Sequence, residues 1–153
     1  MYYEDMSAYS FYLPFALSEV KNIGWLDAEH DFRKGAVDSE ILDKLYRLII
    51  KSELINTNVN VSRGVHSCNV CGNENIILST AEKTILGRSE IWMPSGQEGQ
   101  FFAAPSMVYH YIKDHHYLPP PEFISAIDCF AFESPFYAQE VYLGLVKKHG
   151  YPK

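Results

Sequence analysis

No window of the sequence approaches 18 consecutive apolar residues, so no transmembrane helix is expected. Cations are scarce. Lys and Arg number 13 against 19 Asp and Glu, a net charge of −6, and no basic run concentrates them. Nucleic-acid binding is therefore not expected, because gripping phosphates takes clustered positive charge. Residues 1–10 carry Glu4 and Asp5 but no Lys or Arg, the wrong charge for a secretory or transit peptide. The expectation is a cytoplasmic protein. Internal repeats, low-complexity tracts and linkers are missing. So are the Gly-x-Ser-x-Gly elbow, the Gly-Lys-Ser/Thr phosphate loop, His-Glu-x-x-His and Gly-x-Gly-x-x-Gly, which removes the commonest catalytic signatures.

What is present is ordinary globular material with an aromatic excess. Hydrophobic residues make up 47% and aromatics 14%, including 11 Tyr and 9 Phe. A chain of 153 residues can bury about two thirds of its unfolded surface and needs no staples. One domain, 1–153, is expected, with residues 1–20 as an aromatic N-terminal arm. Pro14 argues against a continuous helix there. Gly24-Trp25-Leu26-Asp27 reads as a turn with a buried Trp anchor.

A helix is predicted from Asp38 or Ser39, either of which can cap the free amides of its first turn. Ile41, Leu42, Leu45, Leu48 and Ile49 fall on one face. Residues 58–62 alternate as a strand, and residues 75–79 form a second strand. Residues 89–93 and 100–103 flank Pro94-Ser95-Gly96-Gln97-Glu98-Gly99, which reads as an antiparallel hairpin. Further helices are predicted from Pro105 or Ser106, over 122–130, and over 135–149. The last would bury Phe136, Tyr137, Val141 and Leu145. The fold class implied is α+β, a small antiparallel sheet with three to four helices packed on one side of it.

The sharpest chemistry lies in Arg63-Gly64-Val65-His66-Ser67-Cys68-Asn69-Val70-Cys71-Gly72. A Cys-x-x-Cys pair can hold one metal from a tight turn, as in zinc knuckles. Gly72 suits that turn because it tolerates positive φ. If the chain is extended at His66, its side chain shares a face with Cys68. His66, Cys68 and Cys71 are thus three candidate ligands. The fourth must come from a distant His. His110 and His115 are five residues apart, about 140° around a helix axis, so an unbroken helix should not offer both to one ion. His115 falls on the inward face with Met107, Val108, Tyr111 and Ile112, and is favoured. His110, at the polar edge, is the alternative, and His30 is a further one. The metal expected is Zn²⁺ in a structural role. A redox dithiol and two packed thiols are the competing readings of the pair. Cys129 is expected to be a buried apolar residue. Asp27 and His30 form at most a carboxylate–imidazole pair within a turn.

Gly24-Trp25-Leu26-Asp27 with His30 and Phe32, Arg63-Gly64-x-His66-x-Cys68-x-x-Cys71, Glu90-Ile91, Ala103-Ala104-Pro105, and His110-Tyr111-Ile112-x-x-His115-x-Tyr117-x-Pro119-Pro120-x-x-Phe123 together resemble a family of small uncharacterised bacterial proteins. The resemblance covers residues 22–127 or so. It leaves out the arm before residue 20 and the tail after Phe130. It implies a bacterial cytosolic protein and no particular chemistry.

Two functions compete on this basis. One is a non-catalytic protein-binding module, specifically a toxin-immunity protein whose acidic, aromatic surface covers a basic toxin domain. The other is a zinc-dependent or thiol-based enzyme using His66, Cys68 and Cys71, with Glu74 or Glu90 as base.

Overall fold

A computed structural model describes residues 2–151. In chain order these form β1 (Ala8–Tyr9), β2 (Leu17–Asn22), α1 (Ser39–Ile49), β3 (Ile55–Asn56), β4 (Asn58–Val59), β5 (Ile77–Ser79), β6 (Thr84–Ile85), β7 (Glu90–Pro94), β8 (Phe101–Pro105), α2 (Val108–His115), α3 (Pro121–Asp128), β9 (Phe136–Tyr137) and α4 (Ala138–Lys148). The fold is α+β, as expected. None of the described helices is long and apolar enough to cross a membrane.

The central sheet has five strands in the order β1-β2-β8-β7-β4. Its spine is the hairpin read from the sequence, β7 against β8, with Trp92 opposite Ala103 and Pro94 opposite Phe101. Side chains alternate across this hairpin, because successive Cβ atoms of a strand point to opposite faces. Ile91, Met93, Phe102 and Ala104 join a core with Leu45, Leu48, Tyr111, Phe123 and Ile127, from α1, α2 and α3. Trp92 and Ala103 join a second core with Tyr9, Leu17, Val20, Ala138 and Tyr142. The helices therefore cover both faces of the sheet, not one.

Strand β2 is the main addition to the sequence reading. It begins in the region read as an arm, runs two residues past it, and pairs in parallel with β8, Val20 opposite Phe101 and Asn22 opposite Ala103. The sheet is thus antiparallel-dominated but mixed. Leu17-Ser18-Glu19-Val20-Lys21-Asn22 has only two strong apolar residues, too weak an alternation to declare a strand. Aromatic residues of the arm pack on Trp25. Tyr3 and Phe11 set their rings 5.6 and 5.0 Å from Trp25, and the Trp25 indole donates to the Ala103 carbonyl at 3.0 Å.

Helix α1 buries Ile41, Leu45, Leu48 and Ile49 as its spacing predicts, but Asp38 makes no side-chain cap bond. Its carbonyl accepts from the Ile41 and Leu42 amides instead. Pro105 ends β8 rather than opening α2. Helix α4 buries Ala138, Tyr142 and Val146, one position on from the predicted face, because Tyr142 packs edge-on against Trp92 at 5.5 Å. Cys129 is exposed at the end of α3, not buried.

Candidate metal centre

Two anchors bring the cysteine loop onto helix α2. The His66 amide donates to the Gly87 carbonyl at 2.8 Å, and the Gly87 amide donates to Ser106 Oγ at 2.8 Å, just before α2 begins. Gly87 has φ of +95°, and a Cβ there would collide with the His66 carbonyl. Only glycine permits this approach. The loop then closes on itself. The Gly72 amide donates to the Cys68 carbonyl at 2.8 Å, and the Cys68 amide donates to the Asn73 carbonyl at 2.9 Å. The amides of Val70 and Cys71 both point at Cys68 Sγ, each at 3.4 Å. Such N–H groups favour a thiolate at that sulfur.

Helix α2 presents two imidazoles to this turn. His115 Nε2 lies 3.5 Å from Cys68 Sγ, and His110 Nε2 lies 3.6 Å from Cys71 Sγ. The four candidate ligand atoms of Cys68, Cys71, His110 and His115 all fall within 4.8 Å of one another, a group that can hold a metal ion. Both nitrogens facing the sulfurs are Nε2. On His110 the other nitrogen, Nδ1, is engaged by Asp114 Oδ2 at 2.8 Å. A carboxylate on the far ring nitrogen fixes the tautomer and orients an imidazole for a metal.

The thiols are electrostatically unequal. The Asn73 amide and the His110 ring pull the Cys71 thiol down to about 6. Burial pushes the Cys68 thiol up, against the pull of the Cys71 and Val70 amides. Burial also raises the Tyr111 hydroxyl to about 12. That hydroxyl accepts the Asn69 amide at 3.3 Å and ties the loop to α2 a second time.

Of the residues expected from the sequence, Cys68, Cys71 and His115 come together. His110, the alternative, joins them as well. His66 is not in the group. It is exposed, and its backbone serves the Gly87 anchor. The helical angle between His110 and His115 does not separate their rings, whose centroids lie 4.8 Å apart. Each imidazole reaches beyond Cβ on its own rotamers, and α2 ends at His115, with His116 left-handed at φ 58°. The loop also covers the polar edge of α2, so His110 is buried. His30 lies elsewhere, its Nδ1 held by Asp27 Oδ1 at 2.7 Å within a turn. Asp114 is a further residue of the site that the Cys and His motifs do not point to. Its signal was the i, i+4 spacing from His110.

A family model, Domain of unknown function (DUF7919), matches residues 1–128. The chain belongs to this family. The family segment takes in the arm and β2, which the motif resemblance left out, and ends where α3 ends. All four cluster residues lie within it, whereas α4 lies beyond it. No curated protein and no solved structure matches the chain.

Proposed function

We propose that Cys68, Cys71, His110 and His115 hold one Zn²⁺ as a structural centre, and that the protein works by binding rather than by catalysis. The convergence of four ligand atoms, two sulfurs and two imidazole nitrogens, within 4.8 Å of one another carries the metal assignment. Zn–S bonds of about 2.3 Å and Zn–N bonds of about 2.0–2.1 Å at tetrahedral angles set a sulfur and a nitrogen of one centre about 3.6 Å apart. The Cys68–His115 and Cys71–His110 contacts are 3.5 and 3.6 Å. Mixed thiolate and imidazole donors suit Zn²⁺ among the common divalent ions. Four protein ligands complete a tetrahedron, whereas a hydrolytic centre keeps one position for water. A redox pair would sit at a helix N-terminus, and this one sits on a turn facing two imidazoles.

The centre ties the cysteine loop to α2, so it holds one wall of the molecule in place. Zinc content of protein purified without chelator tests this. One zinc per chain, lost in Cys68→Ser, is expected. Metal-free protein with the same melting temperature as a zinc-loaded sample overturns it.

The excess of 19 acidic over 13 basic residues favours a basic partner, and we extend the binding role to inhibition of a basic toxin domain in a bacterial cytosol. Exposed Tyr12 and Tyr137 supply aromatic anchors of the kind interfaces use. Native mass spectrometry of protein captured gently from its host tests this role. A stoichiometric basic partner whose toxicity the protein suppresses supports it, and a bare monomer overturns it.

A further inference from the structure

A cavity of about 300 Å³ opens between the N-terminal arm and the metal loop. That volume lies at the lower end of those that hold small molecules. Tyr12 and Trp25 line it from the arm side, Met107 and Tyr111 from the α2 side, and Asn60 and Glu90 from the sheet. Most of its exposed wall surface is apolar, and its ionisable lining residues are Glu90, Arg88 and His66 beside the Tyr12 and Tyr111 hydroxyls.

Glu90 is the anomaly. It is 3% exposed. Three neutral groups donate to its carboxylate: the Tyr9 hydroxyl at 2.6 Å, the Trp92 indole at 3.1 Å and the Asn60 amide at 2.7 Å. No cation pairs with it among the described residues. Arg88 lines the same cavity, but it is exposed and makes no ion pair with Glu90. A carboxylate taken out of water without a counter-charge is costly. Burial pushes the Glu90 carboxyl up, against the pull of its three donors. Neutral donors in that number accommodate a charge without cancelling it. Aromatic faces nearby attract cations through the ring quadrupole.

We infer that this cavity binds a small organic cation, an amine with an apolar or aromatic body, whose positive group supplies the counter-charge to Glu90. This small-molecule site is additional to the protein-binding role proposed above. None of the four cluster residues lines the cavity, although Ser67 and Asn69 of the cysteine loop do.

Three probes of one shape but different charge test it: phenethylamine, 2-phenylethanol and 3-phenylpropionate, titrated into ¹⁵N-labelled full-length protein. Zinc content is measured on the same samples, so a failed metal assignment is read separately from a failed ligand assignment. Phenethylamine is expected to shift the Trp25 indole resonance and the residues lining the cavity. The alcohol should bind about ten-fold more weakly, and the acid more weakly still. In Glu90→Gln the amine and the alcohol should bind alike. Should that variant fail to fold, Tyr12→Ala serves. Tyr12 is 59% exposed and outside the core, and its loss should weaken the amine while leaving the fold intact. Equal binding of amine and alcohol to the unaltered protein, tighter binding of the acid, shifts that map elsewhere, or an unchanged amine affinity in Tyr12→Ala would each overturn the inference.

Discussion

His110 Nδ1 stands 2.8 Å from Asp114 Oδ2, one helical turn further along α2. With that nitrogen occupied, Nε2 is left to face Cys71 Sγ at 3.6 Å. Asp114 is half exposed, so it serves the ring more than the core. Asp114→Asn is expected to fold normally and to bind zinc about ten-fold more weakly, near the small end of such outer-partner effects. Competition against a chromophoric chelator measures this. An unchanged affinity would mean that packing alone orients the His110 ring.

Removing the metal should loosen the cysteine loop. A strong chelator is expected to lower the melting temperature of the unaltered protein by about 5 °C or more, since a ligand that binds only the folded state stabilises it. Cys71→Ala should melt near the chelated value and respond no further. Cys71 is exposed whereas Cys68 is buried, so this variant removes a ligand without opening the core. Equal melting with and without chelator would argue against a structural metal.

Gly87 makes a backbone-level prediction. At φ +95° an alanine is strained, and its Cβ would strike the His66 carbonyl and press on Met107 Cε at 3.2 Å. Gly87→Ala is expected to cost about 2 kcal/mol or more. Its anchor to His66 should weaken with it, so zinc affinity should fall in parallel. Denaturant unfolding together with a zinc titration checks both. Loss of stability with full zinc affinity would show that the loop is held by other contacts.

Glu19 predicts a pH dependence. Burial raises its carboxyl, but bonds from the His149 ring, its own amide and the Lys148 ammonium outweigh that and hold it at about 2. The Lys148 contact is 3.1 Å and the His149 contacts are 3.1 Å. The folded value lies below the unfolded one, so the stabilisation is complete above about pH 4.5 and is lost as pH falls toward 2. Glu19→Gln should therefore be less stable than the unaltered protein at neutral pH, by about 1–2 kcal/mol. The two should converge under acid. Unfolding curves at pH 7 and pH 3 distinguish this from a pH-independent packing loss.

Much of the scaffold was legible because its signals are local. The i, i+4, i+7 spacing of Ile41, Leu45 and Leu48 specifies α1 within one segment. Pro94-Ser95-Gly96 between two apolar runs specifies the hairpin. The i, i+3 pair of Cys68 and Cys71 specifies a turn whose thiols face one way. Each depends on neighbours in sequence, whose geometry backbone periodicity dictates. The acid excess and the absence of common catalytic motifs are likewise properties of the chain itself.

Tertiary structure decided the rest. His66 lay close to the cysteines in sequence, yet His110, about forty residues away, supplies the ring, because the Gly87 anchor and the closed cysteine turn fix where the loop lands on α2. The parallel seat of β2 and the Tyr142 face of α4 follow from Ala103 and Trp92, partners that no local pattern reveals. Glu90 shows the same division. Its sequence says only that a carboxylate is present. The fold buries it with no cation paired to it among the described residues, because Tyr9 and Asn60, drawn from separate parts of the chain, meet Glu90 and its strand neighbour Trp92 only when the sheet closes around them.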